Sequence, residues 1–391
     1  MKYFLFFILF FNLSFGQKVV FESSADVAFV KAKKLNKLVF IEYYNTDCTI
    51  CMSIQPLFEN KEMADFYNNN FVNYKINTKG GLKGKDSLFM AERKLKFTGV
   101  PFFLFFDTDK NFVHYSGAKN DLEYLINIGK KALNPEERTG SLQTKYEAGD
   151  RSIKTLYAYS DLVQLYQNDV LSNEISSQLF DVFPKQNLAT IQSYLILKNS
   201  VKSIDNGFFI YWYENRENLK DFEKGSQKGT EIKVLERILL ESIQKQKSTW
   251  NLETIRKVKK MTVGLGLSKD GNDFLWEEEA KILVKTKQNE EAISLMKILL
   301  NESKDNIFSS LYITDFYIKI VESKPTISIV KDELDVLSKL EMEPEQKGDL
   351  LYQQLLCFNK MGDTLKSIEF KKTVLEYYQQ NGLDLSILDN L

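Results

Sequence analysis

The sequence predicts two structural classes in one chain: an α/β domain, with a mixed central sheet covered by helices on both faces, and behind it an all-α, helical-repeat-like domain. Three observations predict this. Between residues 17 and 134, short apolar runs alternate with amphipathic stretches. Beyond residue 140, period-two segments all but vanish, and apolar residues recur at spacings of three and four. The length, 391 residues with 43% hydrophobic and 27% charged, suffices for two or three packed domains.

The first residues read as a targeting segment. Met1-Lys2 gives a short positive start, Tyr3 to Phe11 is almost unbrokenly apolar, and Ser14 and Gly16 are small residues two apart. This is the pattern of a cleaved secretory signal over residues 1–16. The apolar run is too short to span a bilayer stably, so no stable membrane insertion is expected and the protein is expected to be periplasmic or secreted. An uncleaved anchor is the rival reading.

Ser24 is placed to cap a helix that runs to about Lys34. Leu38 to Ile41 reads as a buried strand, and Cys48 to about Phe66 as a helix interrupted at Pro56. A second strand is expected at Phe71 to Ile76, then a loop rich in Gly and Lys from Thr78 to Lys85, then a helix to Lys94. Phe102 to Phe106 and Phe112 to Tyr115 read as a strand pair turning through Asp107–Asn111. An amphipathic helix from Asp121 to Leu133 closes the domain at residue 134. Residues 135–150 are expected to be a linker and residues 151–391 helical.

Net charge is -1, from 52 Lys and Arg against 53 Asp and Glu, which gives no electrostatic reason to expect nucleic acid or an anionic membrane as partner. Two nucleotide-binding patterns fail on spacing. Ahead of Gly84-Lys85 a phosphate loop needs Gly where Lys79 stands, and Gly264-Leu265-Gly266 has Lys269 in place of a third Gly.

The chemistry candidate is Asp47-Cys48-Thr49-Ile50-Cys51-Met52. Two cysteines separated by two residues, at a helix start behind a strand, can form a small reversible disulfide ring. Unpaired N–H groups at such a helix end favour thiolate on the first. Cys48 is then the exposed nucleophile, and Cys51 the deeper thiol that resolves a mixed disulfide. A bare pair can also be a structural disulfide or half of a zinc site. Zinc needs two more ligands, and the only soft donors left, His114 and Cys357, fall in different expected domains, so no metal site is assigned. Cys357, on an apolar helix face, is expected to be buried and inert.

Beyond the cysteine pair, the pieces LVFIEYYNTDCTICMSIQP, VNYKIN, FTGVPFFLFF and HYSGA follow one another in a known order, and the stretch 38–134 resembles the thioredoxin family. The resemblance implies a thioredoxin-like fold. It places Pro56 at the kink of the active-site helix, Glu42 at a buried acid, Lys75 at that acid's strand partner, Val100-Pro101 at a cis-proline, and Gly117 at the Gly of the last strand. It further implies that Glu42 exchanges a proton with Cys51, that Lys75 pairs with Glu42, and that Val100 and Pro101 bind an extended substrate. An exposed strand Glu42 and a solvated Lys75 are the plainer alternatives. Two departures stand out. Asp47 occupies the place of a Trp, where its charge opposes a thiolate, and Thr49-Ile50 replaces the Gly-Pro of reducing members.

The helical half carries a second resemblance. Residues 348–378 resemble a tetratricopeptide repeat turning at Met361-Gly362-Asp363; residues 274–303 look similar, with a turn near Lys287-Gln288-Asn289, and 152–184 is a fainter third copy.

The expected function is therefore an exported protein-disulfide oxidoreductase, reductase or isomerase before oxidase, that uses no cofactor. Its partners are protein substrates with thiols or disulfides, a redox partner protein, and a protein bound by the helical array. The alternative is a non-catalytic interaction protein in which the pair is a structural disulfide or a redox sensor.

Overall fold

The computed structural model describes residues 18–388 apart from 96, 98, 167 and 224–226. The expected signal over 1–16 lies outside them. The chain divides into two compact units, Met1–Gly225 and Ser226–Leu391.

The first unit begins with the α/β part. Its strands are β1 (Leu38–Tyr44), β2 (Phe71–Asn77), β3 (Phe102–Phe106) and β4 (Phe112–Gly117), in the order β2-β1-β3-β4. β1 and β2 are parallel, while β1–β3 and β3–β4 are antiparallel. Five helices accompany them: α1 (Ala25–Leu35), α2 (Thr49–Ile54), α3 (Lys61–Asn70), α4 (Gly84–Glu92) and α5 (Leu122–Leu133). The fold class read from the sequence, a mixed central sheet with helices and an all-helical part beyond it, is the architecture observed.

Alternation along the strands assigns the two sheet faces. Phe40, Phe103 and Phe105 pack with Ile54, Phe58, Tyr67, Phe71 and Leu125 in one core, under α2, α3 and α5. The Phe40 and Phe103 rings meet edge to face at 4.7 Å. On the opposite face Phe106 meets Phe29 of α1 and Phe89 of α4, at 6.2 and 5.1 Å. Burying each such ring stabilises the fold by about 1.5–3 kcal/mol.

Local chemistry sets the element ends. The Ser24 hydroxyl accepts the Val27 N–H at 3.3 Å and caps α1. β1 runs three residues past the expected Ile41, because its parallel pairing with β2 continues to Tyr44 opposite Asn77. The segment after Cys48 is broken at Pro56, as expected, and becomes three pieces: α2, a 3-10 turn over Gln55–Glu59, and α3. Pro56 supplies no N–H, and the Asn60 side chain restarts the helix by accepting from Glu62 and Met63.

From α6 (Ser141–Glu147) to α18 (Thr364–Asn381) the described residues hold α-helices and short 3-10 turns, with no strands. α6 falls within the expected linker 135–150. The first unit continues through α7 (Ile153–Gln164), α8 (Asp169–Val182), α9 (Ile191–Ser200) and α10 (Gly207–Glu214); the second holds α11 (Thr230–Gln246) onward. Two expected turns fall between consecutive helices. α13 (Asn272–Lys285) and α14 (Asn289–Glu302) flank Lys287, and α17 (Pro344–Met361) and α18 flank Gly362. Gly362 ends α17 at φ 77°, a left-handed conformation that favours glycine. Among the described residues no helix is long and apolar enough to cross a membrane.

His114 lies buried in β4. Its Nδ1 accepts the Thr139 N–H at 3.2 Å, while its Nε2 has no partner. Burial, with Lys131 and Arg138 adding repulsion, pushes its pKa down from 6.5 to about 4. The fold thus binds neutral imidazole, so fewer protons are held folded than unfolded between those values. Stability is complete above the unfolded pKa and falls as pH drops toward the folded one. The loss between pH 6.5 and 5 is expected to be on the order of 2 kcal/mol. Denaturation of wild type and His114→Phe at both pH values checks this, and the wild-type advantage should shrink at the lower one.

Candidate functional site

The site forms where β1 ends and α2 begins. Asn45 turns the chain, accepting the Asp47 N–H on its side chain at 2.8 Å and the Cys48 N–H on its carbonyl at 3.1 Å. Cys48 stands at the N-cap of α2, half-buried, and its Sγ accepts the Cys51 N–H at 3.1 Å. The same Sγ lies 3.9 Å from the carbonyl oxygen of Val100. The Val100-Pro101 bond is cis, with Pro101 buried and Val100 half-buried. Cys51 has no exposed surface, and both cysteines are free thiols.

Beneath them lies Glu42, fully buried on the Phe40 face of the sheet. Parallel pairing sets Glu42 opposite Lys75, and antiparallel pairing sets it opposite Phe103. Lys75 Nζ is 3.0 Å from Glu42 Oε2, while the Lys75 side chain remains 24% exposed. The ammonium also lies over the Phe21 and Phe58 rings, 4.2 and 4.5 Å from their centroids. Burial holds the Glu42 carboxyl above the ordinary carboxylate range, against the opposing pull of Lys75 and of a hydrogen bond from Gln55. Burial likewise pushes the Cys51 thiol up to about 11, with Cys48 and the Glu42 charge contributing.

The structure therefore gathers all six residues singled out from the sequence: Cys48, Cys51, Glu42, Lys75, Val100 and Pro101. Two others escaped that reading. Gln55 donates to Glu42 Oε1 at 2.7 Å and accepts from Lys75 Nζ at 2.6 Å. Its place four residues after Cys51 sets it one helical turn on, a spacing that does not by itself mark a polar residue as part of a site. Lys79, from the basic loop, pairs with Asp47 at 2.7 Å. It partly offsets the Asp47 charge next to Cys48, although both side chains are more than half exposed and salt screens such a pair. Cys357 lies far along the chain in the second unit, buried, its thiol pushed up to about 12.

Such a constellation can carry thiol–disulfide exchange: one accessible sulfur with a hydrogen-bond donor aimed at it, one sealed sulfur, and a buried carboxyl of raised proton affinity. No family model matches the chain, and no curated protein matches it. Among solved structures, a solution structure from Bacteroides thetaiotaomicron described as a "putative disulphide-isomerase" is similar at 22% identity, covering 30% of this chain and 96% of that one, with a TM-score of 0.27.

The two thiols should label very differently. With the reduced protein, iodoacetamide is expected to modify Cys48 near neutral pH and Cys51 appreciably only as pH approaches its value of about 11. Peptide mass mapping across a pH series reads both sites, and equal labelling at neutral pH would contradict the assigned asymmetry.

Proposed function

We propose that this protein is an exported protein thiol–disulfide oxidoreductase working in the reducing or isomerising direction. The observation that carries the reading is the asymmetry of the pair: Cys48 is partly exposed beside the Val100 carbonyl, and Cys51 is sealed behind it. Export rests on the character of residues 1–16.

In the forward direction the Cys48 thiolate attacks one sulfur of a substrate disulfide. A Cys48–substrate S–S bond forms, the substrate's own S–S bond breaks, and the departing sulfur takes a proton. Cys51 then gives its proton to the Glu42 carboxylate and attacks Cys48 Sγ. The Cys48–Cys51 bond forms, the mixed disulfide breaks, and the substrate leaves with two thiols. The protein, oxidised by two electrons, is returned to the dithiol by a thiol-bearing redox partner protein.

Glu42 matters because a thiol with a pKa near 11 is scarcely ionised at neutral pH. Each unit of mismatch between acid and base costs about 1.4 kcal/mol, and burial of Glu42 narrows that gap. Substrate backbone docks along Val100 and Pro101, next to the nucleophile.

Purified protein should catalyse dithiol-dependent reduction of a protein disulfide. Cys48→Ser should fall to background, and Cys51→Ser should accumulate a mixed disulfide with substrate, visible on non-reducing gels. Full activity in Cys48→Ser would refute the reading.

A further inference from the structure

We propose that Gln55 is a positioning residue that holds the Glu42 carboxyl in place to exchange the proton of Cys51. The inference rests on the exchange reaction proposed above and assigns a role to a side chain outside the cysteine–proline constellation.

The Gln55 amide is fully committed. Its Nε2 donates to Glu42 Oε1 at 2.7 Å and to the Cys51 carbonyl at 3.2 Å, and its Oε1 accepts from Lys75 Nζ at 2.6 Å. Backbone geometry makes room for the second of these bonds. The Gln55 N–H turns to Met52 O as α2 tightens into the 3-10 turn, which leaves the Cys51 carbonyl open to the side chain. The partners also fix the amide's orientation. Flipped, its oxygen would face a carboxylate and a carbonyl, and its NH2 group would face an ammonium.

Gln55 holds Glu42 Oε1 through its amide N–H, and Oε2 faces the Lys75 ammonium at 3.0 Å. The two contacts together fix the rotation of the carboxyl group, and the bond to the Cys51 carbonyl ties that orientation to the helix carrying the resolving thiol. The charged and titratable groups facing Glu42 are Lys75 from β2, Cys51 from α2 with Cys48 beside it, and Tyr44 two positions along β1; β3 offers only Phe103. Gln55 ties together the acid, its counter-charge and the main chain of the resolving cysteine.

The test is a stopped-flow reaction of the reduced full chain with an aromatic disulfide that releases coloured thionitrobenzoate. The first phase reports attack by Cys48, the second resolution by Cys51. Gln55→Met keeps length and removes both hydrogen-bonding functions. It should slow the second phase about tenfold at neutral pH and move its pH limb upward by about one unit, because Glu42 loses a donor that favours its ionised form. The first phase should stay within about twofold. A Gln55→Met profile superimposable on wild type overturns the proposal while leaving the exchange reaction intact, and so does equal slowing of both phases at every pH. Absence of two phases in the wild type sinks the exchange reading itself. Should Gln55→Met fail to fold, Gln55→Glu replaces it. Like-charge repulsion should then move the second-phase limb upward, and an unmoved limb overturns the proposal.

Discussion

The ion pair between Glu42 and Lys75 joins register partners on neighbouring parallel strands, and much of the site is arranged around it. A carboxylate with no exposed surface is costly unless it is paired and hydrogen-bonded. The sheet supplies the cation from β2, and the turn after α2 supplies the amide of Gln55. Aromatic rings flank the ammonium, so the charge is held in a cleft with apolar walls. Removing either partner would leave an uncompensated charge beneath the two thiols. Stability and proton chemistry therefore draw on the same three side chains.

The two cysteines differ by position alone. One caps a helix and reaches the surface; the other, a turn further in, faces the sheet. The helix start is short and gives way to a 3-10 turn at Gln55. That early tightening frees the Cys51 carbonyl for a side-chain donor, so the break associated with Pro56 also organises the floor of the site.

Much of this was legible in the residues themselves. Short apolar runs announce β1 and β3, and the Cys-x-x-Cys spacing announces the candidate site. Glu42 and Lys75 are named from the resemblance of the surrounding pieces to the thioredoxin family, while the residues alone leave an exposed Glu and a solvated Lys open. Gln55 could not be named, since a polar residue before Pro56 looks like any solvated helix end; only the folded chain brings strand and turn within hydrogen-bond reach. Lys79 was hidden for a similar reason: the loop that carries it lies 32 residues from Asp47 in sequence. Helix in 140–391 was readable from its period, whereas the grouping of α6–α10 with the α/β part depends on long-range packing that no local pattern encodes.

The segment after α5 returns along β4, the outer strand of the sheet. Gly140 donates its N–H to the Val113 carbonyl at 2.9 Å, Thr139 gives its hydroxyl oxygen to the Tyr115 N–H at 3.1 Å and its own N–H to His114. At the other rim, Phe21 bridges Asn73 on β2. Both margins of a four-stranded sheet are thereby occupied by irregular chain, which denies an approaching strand a free row of donors and acceptors. A fragment ending at residue 134 would keep every cysteine-site residue yet bare one margin, and would be prone to self-association through it.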